Sequence, residues 1–214
     1  MALRALLLDL YGTALFTRRT VGETYAALGR DFGVEQDVSV LEPAFHAALA
    51  AVQDEQAMSG DGRPFWREVV RRCTGCGEEA YFERIYTAMG DPGAYRLDPT
   101  LPAALGALRA AGFRLGVVSN ADTRTRAIVE GLGLDALVDT VVISAEVGIE
   151  KPDPRIFHLA CDRLGVAPAE AVHVGDSLGS DVRGARGAGL TAWRYGHDVA
   201  DFAEIARRLL APIR

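Results

Sequence analysis

Four stretches of this chain place chemically able side chains at or close behind an apolar run. The first is Asp9, which follows the unbroken run 5–8 and is followed by Tyr11, Gly12 and Thr13. A short continuous apolar run reads as a strand buried on both faces, and Gly12 turns the chain after it. Asp9 is therefore expected at the carboxyl end of a central strand, where open α/β sheets bind ligands. A carboxylate there can be a nucleophile that forms a covalent aspartyl intermediate, or it can merely cap the turn. The second stretch is Ser119-Asn120, a hydroxyl and an amide able to hydrogen-bond an anion, or to cap the helix that follows. The third is Lys151 in the segment Gly-Ile-Glu-Lys-Pro-Asp-Pro. The fourth is Gly175-Asp176-Ser177-Leu178-Gly179-Ser180-Asp181. Asp176 and Asp181 converging near Asp9 repel unless a cation joins them. Hard oxygen donors in a small cluster suit Mg²⁺. Taken singly, the two are explained by helix capping and the helix dipole.

Lys151 stands out by composition. Of 23 basic residues, 22 are Arg and this one alone is Lys. The two are not interchangeable where a compact, mobile point charge is required. Chance survival is the plainer account of a single residue, but a lysine directly before Pro152 is poorly placed for a casual surface helix position.

The elements that must position these groups alternate in the second half of the chain. Strands are expected at 114–119, 140–144, 171–175 and 191–195, with helices at 100–111, 122–132, 154–164, 178–188 and 201–210. Alternation of this kind means βαβ units and a parallel sheet covered on both faces. The stretch 16–95 is different. It contains no convincing buried strand, and helices are expected at 20–32, 39–52, 64–73 and 78–89, with a hinge lacking regular structure at 91–99. The fold class is thus α/β, a doubly wound, Rossmann-like parallel-sheet core (1–15 and 96–214) with an all-helical cap (16–95). Phe65, Trp66 and Tyr86 are expected in the cap's own core.

The chain has 214 residues, is 49% hydrophobic and carries a net charge of -6. That suits one mid-sized domain or a core with an insertion. With no long basic run, nucleic acid and anionic membranes are disfavoured as partners. Three cysteines argue against a disulfide framework, and Cys73 and Cys76 read as ordinary thiols. His173 reads as a satisfied core histidine. Asp9 interrupts the opening apolar run too early for a signal peptide, and no run is long enough to span a membrane. A soluble, cytoplasmic protein is expected, and the oligomeric state is left open.

The four stretches in this order resemble the haloacid-dehalogenase superfamily of hydrolases, over the whole chain and with a helical cap inserted after the first motif. The resemblance implies that Asp9 is the nucleophile. It implies that the Tyr11 carbonyl and Asp176 hold Mg²⁺, with Asp181 closing the site. It also implies that Ser119 and Lys151, with Asn120 beside them, bind a transferring phosphoryl group. Such transfer depends on positioning and charge neutralisation. One position departs from the phosphatase pattern. Phosphatases of the superfamily usually carry a second Asp two residues after the nucleophile, as acid and base, where this chain has Tyr11. The 2-haloacid dehalogenases are similar to this chain there, but they need no Mg²⁺ and lack the Gly-Asp opening of the last motif, which is intact here as Gly175-Asp176. They also hold the halide with a cap arginine. Residues 31–62 contain no Arg or Lys, and Arg18, Arg19 and Arg30 are the candidates for that role. The expected activity is a Mg²⁺-dependent phosphatase acting on a small phosphorylated metabolite. The alternatives are a dehalogenase-like hydrolase and a catalytically impaired phosphate- or protein-binding module.

Overall fold

A computed structural model of the chain describes residues 2–211; Met1 and residues 212–214, the extreme ends of the expected core, lie outside the described residues. The strands are β1 (Ala5–Leu8), β2 (Leu15–Thr17), β3 (Tyr95–Leu97), β4 (Arg114–Ser119), β5 (Thr140–Ile143), β6 (Ala171–Gly175) and β7 (Thr191–Arg194). Five of them form one parallel sheet in the order β5-β4-β1-β6-β7. The chain builds outward from β1 to β5 on one side and then crosses to β6 and β7 on the other. The strand order reverses beside β1, which makes its carboxyl end the topological switch point.

The apolar run of β1 is buried on both faces because its residues alternate between two cores. Leu6 and Leu8 pack with Leu115, Val117, Val172 and Val174 beneath the helices α5 (Leu101–Ala110), α6 (Thr125–Gly131) and α10 (Phe202–Leu210). Ala5 and Leu7 face the opposite core, built largely by α8 (Pro154–Leu164) and the segment around α9 (Gly184–Gly187). A four-residue helix, α7 (Ser144–Val147), follows β5. Burying each of these leucines contributes about 1.5–3 kcal/mol.

Four further helices lie between β2 and β3: α1 (Val21–Gly29), α2 (Val38–Glu55), α3 (Arg63–Thr74) and α4 (Glu79–Ala88). They enclose a hydrophobic core of their own around Tyr25, Leu41, Val52, Phe65, Val69 and Tyr81. Thr20 and Glu23 form a capping box at the start of α1, as the sequence implies.

Three elements differ from the sequence reading. The expected structureless hinge at 91–99 contains a short 3₁₀ turn, Pro92–Ala94, and then β3, which pairs antiparallel with β2. These strands are three residues long, too short for their alternation to be recognised. The expected helix at 178–188 opens as a wide π-helical turn, Leu178–Arg183, with α form only in α9. The expected helix at 122–132 starts three residues later, because Asp122 accepts from the backbone N–H of Arg124 and caps an open turn. Among the described residues, no helix is long and apolar enough to cross a membrane.

Candidate active site

Parallel register brings the carboxyl ends of three strands to one level. Leu8 lies opposite Val117 of β4 and Val174 of β6, and the Asp9 N–H donates to the Val174 carbonyl at 2.9 Å. Asp9, Ser119 and the turn after Gly175 consequently open into the same cavity, with Lys151. The carboxylates of Asp9, Asp176 and Asp181 can place one oxygen each within 4.8 Å of one another.

Lys151 is 4% exposed and donates to Asp9 Oδ1 and Asp181 Oδ1, both at 2.6 Å. Burial alone would depress its ammonium, but the two carboxylates outweigh burial and hold its pKa above the usual lysine value. Its backbone is fixed from both sides by Asn120, whose amide donates to the Lys151 carbonyl at 2.8 Å and accepts from the Lys151 N–H at 2.7 Å. Asn120 thus holds the Lys151 backbone and also lines the cavity, a tie to Lys151 that the sequence reading did not include.

Asp181 is seated deeply. Its Oδ1 also accepts from His173 Nε2 at 2.9 Å, and its Oδ2 accepts from the Ser177 N–H at 3.0 Å. Burial opposes its ionisation, but the His173 and Lys151 hydrogen bonds prevail and hold the carboxyl below the ordinary range. Gly175 permits this seat. A Cβ on Gly175 would lie 2.2 Å from Asp181 Cγ. Burial pushes Asp9 upward against the pull of Lys151, and burial followed by Asp181 raises Asp176. A Cβ on Gly12, whose φ is +81°, would meet Asp176 Oδ2 at 2.7 Å, so the first and last motifs touch.

The donor set fits a divalent cation. Three carboxylates and one ammonium leave a formal charge of about −2 in a site made of hard oxygens. The Ser119 hydroxyl, 1% exposed and lining the cavity, finds no hydrogen-bond partner among the described residues. An orphaned buried hydroxyl is costly unless a ligand satisfies it.

The Tyr11 side chain lines the cavity with its hydroxyl already engaged. Its hydroxyl pairs with Thr125 Oγ1 at 3.0 Å and its ring meets Tyr95 edge-on. Burial pushes its pKa up to about 12.

Sequence reasoning missed four participants. His173 lies on the same face of β6 as Gly175, two residues on, and that shared parity was the available signal that it meets Asp181. Thr13 donates a long bond, 3.4 Å, to Asp9 Oδ2. Asp122 and Arg124 bind each other through two side-chain bonds, at 2.7 and 3.1 Å, and reach the inserted helices. Trp66 Nε1 donates to Asp122 at 2.6 Å, and Arg124 donates to the Tyr86 carbonyl while lying 3.6 Å over its ring. Phe65 and Tyr86 are buried in the core of the inserted helices, as expected, with Trp66 packed against it, and Trp66 and Tyr86 also line the cavity. Arg18, Arg19 and Arg30 do not line it.

Residues 3–189 match the model of the haloacid dehalogenase-like hydrolase family. The chain is 34% identical over 202 residues to haloacid dehalogenase-like hydrolase domain-containing protein 3 of Bos taurus, covering 89% of this chain and 80% of that one. It is 37% identical over 159 residues to a phosphoserine phosphatase of Thermus thermophilus, covering 69% and 63%. Its fold is similar to the crystal structure of a 2-haloacid dehalogenase from Pseudomonas syringae, with a TM-score of 0.61, 26% identity and 91% and 86% coverage. A parallel sheet ending in Asp9, Ser119, Lys151 and the Asp176–Asp181 turn, together with matches that span most of the sequence, means that this chain belongs to the haloacid dehalogenase-like hydrolases.

Proposed function

We propose that the chain is a Mg²⁺-dependent phosphomonoester hydrolase that acts on a small phosphorylated metabolite through an aspartyl-phosphate. One observation carries the reading: three carboxylates gather around the end of β1, facing the unpartnered Ser119 hydroxyl, with one buried ammonium for three negative charges. Asp9, the Tyr11 carbonyl, Asp176 and Asp181 would hold the cation. When bound, Mg²⁺ would offset the carboxylate charge and draw negative charge from the phosphoryl oxygens. The chain's own groups do the rest. Asp9 Oδ2, which carries only the long bond from Thr13, attacks phosphorus while the ester P–O bond breaks and the leaving oxygen takes a proton from water. Lys151 and the Ser119 hydroxyl bind the transferring group, and Asn120 fixes Lys151. Water then cleaves the aspartyl-phosphate, releasing phosphate and restoring Asp9. The three unpaired cysteines support work in a reducing compartment such as the cytoplasm.

Tyr11 is what favours dehalogenation as a second reading. Against it stands the lining of the cavity, in which Arg124 is the sole arginine among the described residues and is already bound to Asp122 and Tyr86. Phosphate release from a panel of sugar and nucleotide monophosphates, with and without Mg²⁺, distinguishes the two. Mg²⁺-dependent release is expected. Metal-independent turnover, or consumption of 2-chloropropionate with no phosphate released from any ester, overturns the phosphatase reading.

A further inference from the structure

The cavity above Asp9 has a volume of about 540 Å³. That falls in the range of drug-sized ligand sites and far exceeds what a two-carbon phosphoester fills. Its walls divide by chemistry. The floor at the strand ends is polar. The walls supplied by β2 and the inserted helices are mostly apolar, with Phe16, Val21, Leu49, Met58 and Trp66 each partly exposed, and their polar members are Glu42, His46 and Gln53.

The charges that face the cavity are equally uneven. Its cations among the described residues are Lys151 and Arg124, with the exposed His46 at its rim. Lys151 is held between Asp9 and Asp181. Arg124 is held by Asp122 and by the Tyr86 carbonyl and ring. His46 lies 3.7 Å from Glu42, another acid of the lining. A substrate that brought a second anion beyond its phosphoryl group would find no uncommitted cation and would face Glu42 and Asp122. Desolvating an unpaired charge is costly, whereas an apolar group gains by leaving water.

We propose, resting on the phosphatase reading above, that the preferred substrates are monoesters of an uncharged, apolar alcohol of about the bulk of an aromatic ring, and that esters bearing a carboxylate or second phosphate are rejected. Leu49 and Met58 are then specificity-determining residues, because they present apolar surface to the cavity and no cation.

The test compares benzyl phosphate with 2-phosphoglycolate and O-phosphoserine at saturating Mg²⁺. All three expel primary alkoxides, so recognition and not leaving ability dominates the comparison. p-Nitrophenyl phosphate serves as the undemanding control. The expected result is a kcat/KM for benzyl phosphate at least about tenfold above both acids. Benzylphosphonate should likewise inhibit p-nitrophenyl phosphate turnover at concentrations at least about tenfold below phosphonoacetate. Leu49→Arg should narrow or invert the ratio by raising turnover of 2-phosphoglycolate. Equal or better turnover of the acids by the native enzyme, with the control active, overturns the specificity assignment and leaves the phosphatase reading standing. No phosphate released from any ester, the control included, overturns both.

Discussion

Gly175→Ala tests whether the site is built around the seat of Asp181. The residue lacks a positive φ, so an alanine meets no backbone strain there. The obstacle is steric: the new methyl would lie 2.2 Å from Asp181 Cγ and 2.7 Å from its Cβ. Cβ is the base of the side chain, so no flexible tip can move aside. Either β6 or the Leu178–Arg183 turn must shift, and Asp181 then loses bonds from Lys151 at 2.6 Å, His173 at 2.9 Å and the Ser177 N–H at 3.0 Å. Each hydrogen bond to a charged group contributes roughly 1.5–3 kcal/mol, but the bonds are mutually dependent. Breaking one arm of a buried ion pair costs about 3–5 kcal/mol, and we take that as the net effect. For a chain of this size it lowers Tm by roughly 6–20 °C. Gly187→Ala is the control. Gly187 is exposed in α9 and a Cβ there meets nothing within 4 Å. That substitution should be neutral or should stabilise by up to about 1 kcal/mol. Urea unfolding gives both values, and calorimetric Mg²⁺ titration should show binding weakened only by Gly175→Ala. A Gly175→Ala protein within about 1 kcal/mol of the native one, with Mg²⁺ binding intact, would refute the argument.

Other consequences can be checked separately. Lys151→Met leaves Asp9 and Asp181 without their ammonium, so in chelator it should be less stable by about 3–5 kcal/mol, and added Mg²⁺ should recover more of its Tm than it adds to the native protein; equal increments would count against a shared charge site. Mg²⁺ at a hundredfold excess over its Kd should stabilise the native protein by about 2.7 kcal/mol relative to chelator, read as a rise in Tm. Trp66→Phe removes the 2.6 Å bond to Asp122 that joins the inserted helices to the loop after β4; a loss of about 1.5–3 kcal/mol by urea unfolding is expected, since the acceptor is charged. Tyr11→Phe should cost about 0.5–1.5 kcal/mol through the lost Thr125 bond, yet leave the ratio of aryl to alkyl phosphate turnover unchanged, because the hydroxyl is engaged by Thr125. A shifted ratio would return Tyr11 to the role of acid.

The fold was legible because its strands announce themselves. Four strands of the large sheet are apolar runs buried on both faces and bounded by Gly, Ser or Asp, so β1, β4 and β6 fall at the expected residues. What escaped was set by contacts distant in sequence. β2 and β3 exist because they pair with each other across the whole insertion, and neither has an alternation long enough to be seen alone. The π-helical turn places Asp181 beneath Gly175, a choice made by the fit between two backbones that no local propensity records. Trp66 and Tyr86 pack with the core of the inserted helices as their helical spacing implies, and the spacing could not show that Asp122 and Arg124 also bind them at the cavity.

The one lysine is where composition and structure meet. Exposed arginines cover the inserted helices, many of them in two-bond pairs with glutamates, as Arg67 has with Glu79 and Arg72 with Glu55. A planar fork suits those pairs. Lys151 has a different task. Its side chain is 2% exposed and its single nitrogen reaches two carboxylates, on Asp9 and Asp181, from one point at 2.6 Å each. A guanidinium spreads its donors over a plane several ångströms wide and cannot set one atom between them without moving one carboxylate. The same geometry explains why Asn120 is committed to the lysine backbone. An ammonium on a flexible stem is only as well placed as the Cα from which it starts, and both bonds from Asn120 fix that origin. A planar fork suits the paired carboxylates of the inserted helices, and a single ammonium suits the point between Asp9 and Asp181.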